Sequence, residues 1–143
     1  MDVKSFLEDI KWTDMLIDTK LAQIRDLRQK MEYVSPTFGE RVQGSKDPDK
    51  FTSGVAKIIE LEKVINADID KLVDDKRVAR EMIESLDTQT EKTILYRHYF
   101  DRKTFDEIAD EVYYSERWVR QIHSDAINKL NLKFTSAYFL ANQ

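Results

Sequence analysis

The chain of 143 residues contains no cysteine, only two prolines and three glycines, and no long apolar run. Without cysteine it has neither a disulfide framework nor a thiolate-bound zinc or iron–sulfur site. No stretch approaches the roughly 20 apolar residues of a membrane helix. The charged start MDVKSFLEDIKW is unlike the apolar core of a secretion signal. We therefore expect a cytoplasmic protein with no membrane segment.

Sequence signals of catalysis are also lacking. His98 and His123 are the only histidines, and neither a glycine-rich phosphate loop nor a Ser-His-Asp arrangement accompanies them. We expect no catalytic site, no cofactor and no metal site. His98 is expected to pack near a helix surface, and His123 to lie beside a ligand or in solvent.

The residues that break helices lie in one window. All glycines and prolines fall between Pro36 and Gly54, which predicts a loop over 35–54 and helix almost everywhere else. A first apolar seam with three-four spacing comprises Val3, Phe6, Ile10, Thr13, Ile17, Lys20, Ile24, Leu27, Met31 and Val34. A second comprises Val55, Ile58, Glu62, Ile65, Ile69, Leu72, Lys76, Ala79, Ile83 and Leu86. Such seams predict an all-α fold that begins with a long antiparallel, coiled-coil-like helical hairpin over 1–87.

Two features of the predicted hairpin leave questions open. Its charged seam residues Lys20, Glu62 and Lys76 either pair across the seam or mark the ends of the contact. Additional apolar residues beside the first seam, namely Leu7, Trp12, Leu16 and Leu21, make that stripe wider than one partner helix covers. The surplus favours a homodimer.

The C-terminal part, residues 88–143, predicts a three-helix unit. Capping-box spacing occurs at Thr88 with Glu91 and at Thr104 with Glu107, and Ser115 is a further N-cap. The last helix then has a predicted buried stripe of Val119, Ile122, Ala126, Ile127 and Leu130. Two short helices joined by a tight turn, with arginines outward on the second, are typical of a DNA-reading helix-turn-helix.

Residues of the predicted outer face suit recognition of double-stranded DNA. A guanidinium donates two parallel hydrogen bonds to guanine, a carboxamide pairs similarly with adenine, and a carboxylate accepts from cytosine. A capped helix N-terminus suits a phosphate. Trp118 either packs against Tyr114 or lies against a sugar or a thymine methyl. The predicted DNA-binding residues are Ser115, Glu116, Arg117, Trp118, Arg120, Gln121, Ser124 and Asn128.

These segments resemble a known family. ERWVRQIHSDAINKL is similar to the last helix of region four in bacterial primary sigma factors, and ILYRHYFDRKTFDEIADEV resembles the helices before it. The resemblance implies a sigma-70 region-4-like helix-turn-helix and DNA contacts from the outer-face residues. Tyr113 stands where the turn of that pattern usually has glycine, so we expect a differently shaped turn.

The whole layout, with its segment VQGSKDPDKF and the helix containing AKIIELE, resembles small phage and prophage proteins related to late-transcription regulators of the RinA and ArpU kind. That resemblance implies a regulator acting near a late-gene or packaging promoter of a phage or mobile element, at the nucleoid, with contact to RNA polymerase. The alternative is an adaptor that binds RNA polymerase or another phage protein without reading DNA.

The distribution of charge limits how such a protein binds DNA. The net charge of −4 lies entirely in residues 1–87, whereas 88–143 carry equal numbers of basic and acidic side chains. A neutral module binds DNA only weakly outside its specific site, and its complex is sensitive to salt.

Overall fold

The computed structural model describes residues 2–34 and 48–134, which form five α-helices and no strand. The helices are α1 (Val3–Val34), α2 (Pro48–Glu84), α3 (Gln89–Leu95), α4 (Phe105–Val112) and α5 (Glu116–Lys133). A π-helical turn, Tyr96–Phe100, continues α3. The prediction of an all-α fold is confirmed.

The chain divides into two compact units. One, which we call the hairpin unit, is Met15–Lys71; the other, the terminal unit, combines Met1–Asp14 with Leu72–Gln143. This grouping differs from the predicted domains 1–87 and 88–143. The N-terminal end of α1 and the C-terminal end of α2 both belong to the same unit as the C-terminal helices. The domain limits 1–87 and 88–143 stay a prediction.

Within the hairpin unit, α1 and α2 run antiparallel. Lys20 Nζ lies 2.6 Å from Asp68 Oδ2, and Arg28 Nη2 lies 2.7 Å from Glu62 Oε1. The later residue of α1 thus pairs with the earlier residue of α2, as expected for antiparallel helices. In the terminal unit, Lys76 Nζ is 3.7 Å from Asp14 Oδ2. All three charged seam residues therefore pair with the facing helix. Among the seam positions whose burial is described, only Ile69 is classed as exposed.

The predicted loop over 35–54 is wrong at its C-terminal end, because α2 begins at Pro48. Proline suits the first turn of a helix, where its missing N–H would have no intrahelical partner. Gly54 lies inside α2, and a Cβ there would be only 3.0 Å from Met31 Sδ. This glycine allows Met31 to approach the backbone closely. The remainder of the predicted loop, 35–47, lies outside the described residues.

The terminal unit is joined by polar contacts between distant parts of the sequence. The Tyr96 hydroxyl donates to Glu84 Oε1 at 2.9 Å, and Lys133 Nζ donates to the Ser85 carbonyl at 2.7 Å. Glu91, buried at the start of α3, accepts from Lys129 Nζ at 2.7 Å. These contacts hold α3 and α5 against the end of α2. No helix in the described ranges has the length and apolarity needed to cross a membrane.

Candidate nucleic-acid interface

The turn between α4 and α5 sets where the last helix begins. Capping boxes are present at Thr88 and Thr104, and the Ser115 hydroxyl accepts from the Trp118 N–H at 3.1 Å, so all three predicted caps are confirmed. The expectation of a differently shaped turn is wrong. Tyr113 itself adopts the left-handed conformation, with φ 61° and ψ 37°, and its ring is 92% exposed. This conformation is strained for tyrosine, because its Cβ lies close to the following carbonyl oxygen, whereas glycine adopts it without strain.

A small apolar cluster fixes the orientation of α5. Ile94, Ile108, Ala109 and Val119 are buried together, and the half-buried Phe105, Val112 and Ile122 pack against them. Farther along α5, Ala126, Ile127 and Leu130 are buried as predicted. Because one stripe of α5 is held in this core, the opposite stripe faces solvent.

The predicted DNA-binding residues lie along that outward face. Seven of the eight are exposed and Glu116 is half-buried. Five of them line one open groove: Glu116, Arg117, Arg120, Gln121 and Ser124. Trp118 is 51% exposed, which leaves much of its indole free for a ligand. The structure thus brings the predicted set together on one surface, and contact with DNA stays a prediction.

Arg120 is held in place by two contacts. Its Nε and Nη2 donate to Glu116 Oε1 at 3.0 and 2.6 Å, and its guanidinium carbon lies 4.8 Å from the centre of the Phe105 ring. Glu116 therefore occupies the side edge of the planar guanidinium. Nη1 has no carboxylate partner within the described ranges, and Nη2 keeps a second hydrogen beyond the one it gives to Glu116. The end edge formed by these two nitrogens can therefore donate two parallel bonds to guanine.

Gln121 and Arg117, which lie near Arg120, differ in whether their side chains already have a partner within the protein. Gln121 Nε2 donates to Asp125 Oδ1 at 3.0 Å. This bond must break before the carboxamide can form both of its hydrogen bonds to an adenine. Arg117 is exposed and has no ion-pair partner in the part of the chain that the structure describes.

A cluster of aromatic rings supports α5 from within. The His123 Nε2 and the Tyr99 hydroxyl are 2.6 Å apart, and the His98 ring stacks on Phe105 at 4.2 Å. His98 Nδ1 lies 2.9 Å from the Lys103 carbonyl. Since a carbonyl only accepts, Nδ1 of His98 carries the proton.

The expectation that His123 lies in solvent is wrong, because its side chain is only 6% exposed. Its place beside a ligand stays a prediction. Burial, reinforced by the positive charges of His98, Lys4 and Arg120, lowers the pKa of His123 to about 4. Burial also lowers the pKa of His98 and raises that of Tyr99. The cluster is therefore neutral at neutral pH.

Sequence reasoning missed the supporting role of Phe105 and His123. A signal for His123 was available, because it lies four residues after Val119 and three before Ala126, which is the spacing of a buried stripe. Phe105 is the first residue of α4, and no periodicity marks it. Residues 2–34 and 48–134 contain no group of three or more acidic, histidine or cysteine side chains placed to hold a metal ion.

Comparison with known proteins supports this reading of the C-terminal part. The protein family described as Sigma-70, region 4 matches residues 83–131, which is about a third of the chain. The matched span covers α3, α4 and nearly all of α5. No curated protein and no solved structure matches the chain. The C-terminal helices thus form a sigma-region-4-like helix-turn-helix. The match to this family suggests that they bind DNA.

Proposed function

We propose that this protein is a sequence-specific DNA-binding transcriptional regulator in which α5 enters the major groove. The observation that carries the proposal is the outward face of α5, where Arg117, Arg120 and Gln121 follow a capped turn inside the segment that matches sigma-70 region 4. A helix of about 10 Å diameter fits the major groove, and residues near its N-terminus reach the base edges.

Each residue has a chemical role in this proposal. Arg120 reads a guanine with its open end edge, while Glu116 keeps the guanidinium oriented or accepts from a cytosine. Gln121 reads an adenine after release from Asp125. The Ser115 turn holds a phosphate at the start of the helix. Arg117, Trp118, Ser124 and Asn128 supply the remaining contacts to bases, sugars and phosphates.

The biological setting is a further part of the proposal. The overall layout resembles phage late-transcription regulators, which favours a late-gene or packaging promoter of a phage or mobile element. Such a regulator works at the nucleoid in the cytoplasm of the bacterial host, and a site close to a promoter places it within reach of RNA polymerase.

We also propose that the regulator is a homodimer that pairs through the hairpin unit. Leu21 and Ile69 border one cleft there, and Phe51 and Ile59 border another, while Arg28 and Glu62 line both. These four apolar side chains are between 36% and 48% exposed, so a second copy could cover them. A dimer presents two recognition helices to half-sites about 34–36 Å apart.

The dimer is tested by the mass in light scattering at micromolar concentration. The unmodified protein is expected at twice the chain mass of 16.9 kDa, and Leu21→Asp with Ile69→Asp at the chain mass. A monomeric mass for the unmodified protein rejects pairing through this surface.

DNA reading is tested by selecting bound fragments from sheared bacterial and prophage DNA with three full-length proteins. The unmodified protein should recover one discrete class of site. Arg120→Ala should lose it, because each bidentate base contact is worth about 1–3 kcal/mol of discrimination. Arg77→Ala, which removes an exposed arginine of α2 that pairs with Glu81 at 3.4 Å, should recover the same class as the unmodified protein.

A protein adaptor is the second candidate, and the exposed apolar side chains of the hairpin unit favour it. Under this alternative α5 does not read bases. The selection would then return the same diffuse background from the unmodified protein and from Arg120→Ala. That outcome rejects the DNA-reading function and directs the search to protein partners of the hairpin unit.

A further inference from the structure

The first turn of α1 is fixed beside α5, although 128 positions of sequence separate the two residues that join them. The Val3 N–H donates to Asn131 Oδ1 at 2.9 Å. Asp2 caps the helix, since its Oδ1 accepts from the Ser5 N–H at 2.8 Å. Val3 and Phe6 are buried, as are Leu7 and Ile10 one turn later. These contacts therefore fix the position of the first turn of α1 relative to α5.

A cleft of about 460 Å³ opens between this turn and α5. Lys4 and Glu8 line it on the α1 side. The α5 side includes Arg120, Ser124 and Asn128, which succeed one another at four-residue spacing along a single stripe. Arg120 and Ser124 also line the groove on the outward face of α5, so the cleft and the predicted DNA-reading face share an edge.

Four exposed polar side chains that line this cleft match the chemistry of a phosphate. Lys4 is exposed and has no carboxylate partner in the described ranges. The Lys4 ammonium and the Arg120 guanidinium only donate hydrogen bonds, and the Ser124 hydroxyl and Asn128 carboxamide can donate, whereas phosphate oxygens only accept. Glu8 is the one acidic side chain that lines the cleft, and two cations oppose it.

We propose that Lys4 contacts the DNA phosphate backbone alongside the groove that α5 enters, so that the first turn of α1 is part of the DNA-binding surface. The inference rests on the proposed function of α5. A lysine acts as a point charge toward phosphate, without the geometric demands of base reading. Lys4 therefore adds affinity for every sequence equally, and Arg120 supplies the choice among sequences.

The test measures binding of the full-length protein to two labelled duplexes of about 30 base pairs, one carrying the selected site and one of random sequence. Affinity is measured between about 50 and 200 mM salt. Lys4→Gln should weaken binding to both duplexes by the same factor, up to about tenfold at low salt. The slope of log affinity against log salt should fall by about one, the amount expected for a lost phosphate contact.

Three variants make the result specific. Lys4→Arg should retain the unmodified slope because it keeps the charge. Glu8→Gln should strengthen binding to both duplexes, since it removes the opposing negative charge from the same cleft. Lys63→Gln makes the matched change at an exposed lysine of the hairpin unit and should leave affinity and slope unchanged.

The two proposals fail in different ways. If the unmodified protein prefers the selected site but Lys4→Gln matches it in affinity and slope, the role of Lys4 is rejected and the function of α5 stands. A loss confined to the selected duplex would assign Lys4 to base reading and also reject the backbone contact. If the unmodified protein shows no preference between the duplexes, the DNA-reading function fails, and the inference about Lys4 fails with it.

Discussion

Acidification should destabilise this protein through His123, the buried histidine of α5. Its side chain is 6% exposed, and its Nε2 lies 2.6 Å from the Tyr99 hydroxyl among the rings of His98 and Phe105. The nearby charges of Lys4 and Arg120 oppose protonation of this buried ring. Burial and these charges together lower the pKa of His123 from 6.5 to about 4.

The direction and size of the effect follow from the difference between folded and unfolded chains. An unfolded histidine binds its proton near pH 6.5, whereas His123 in the fold does so only near pH 4. Its contribution to stability is therefore complete above pH 6.5 and declines as the pH falls toward 4. The full loss is about 3 kcal/mol, with about 2 kcal/mol already lost at pH 5. His98, whose pKa is also lowered by burial, acts in the same direction.

Urea denaturation of the unmodified protein and of His123→Gln, at about pH 7.5 and pH 5, measures this contribution. The glutamine amide can still accept from the Tyr99 hydroxyl but takes up no proton. Carboxylates common to both proteins cancel in the comparison. The unmodified protein should lose about 2 kcal/mol more than His123→Gln between the two pH values. Equal losses would show that His123 is not protonated on unfolding, and the reasoning from its burial would be refuted.

Three further predictions concern the elements that position α5. Tyr113→Gly should raise the free energy of unfolding by roughly 0.5–1 kcal/mol, because glycine adopts the left-handed conformation without strain; a lower urea midpoint would contradict this. Ser115→Ala should cost about 1 kcal/mol in thermal unfolding while Ser115→Asp retains the cap, and equal losses would argue against capping. Lys129→Met should lower the free energy of unfolding by leaving buried Glu91 without its cation. The same change in a Glu91→Gln background should have little effect, and a double-mutant cycle without coupling would count against the pair.

Much of the helical layout could be read from the sequence, because local chemistry determines it. A capping box needs only a hydroxyl and a carboxylate three residues apart, so Thr88 and Thr104 marked the starts of α3 and α4. The stripe from Val119 to Leu130 indicated which side of α5 is buried, and the outward face followed from that. The error at Pro48 arose because proline breaks a helix only beyond its first turn.

The sequence by itself therefore determined that five helices form, the caps of α3, α4 and α5, and the face of α5 that meets solvent, since each depends on residues within a few positions of one another. Tertiary structure alone decided that His123 is buried against Tyr99, that Arg120 rests on Phe105, and that Lys4 lies across a cleft from α5. These contacts join residues between 15 and more than 100 positions apart. No local periodicity encodes such distances, because they depend on how separate helices pack.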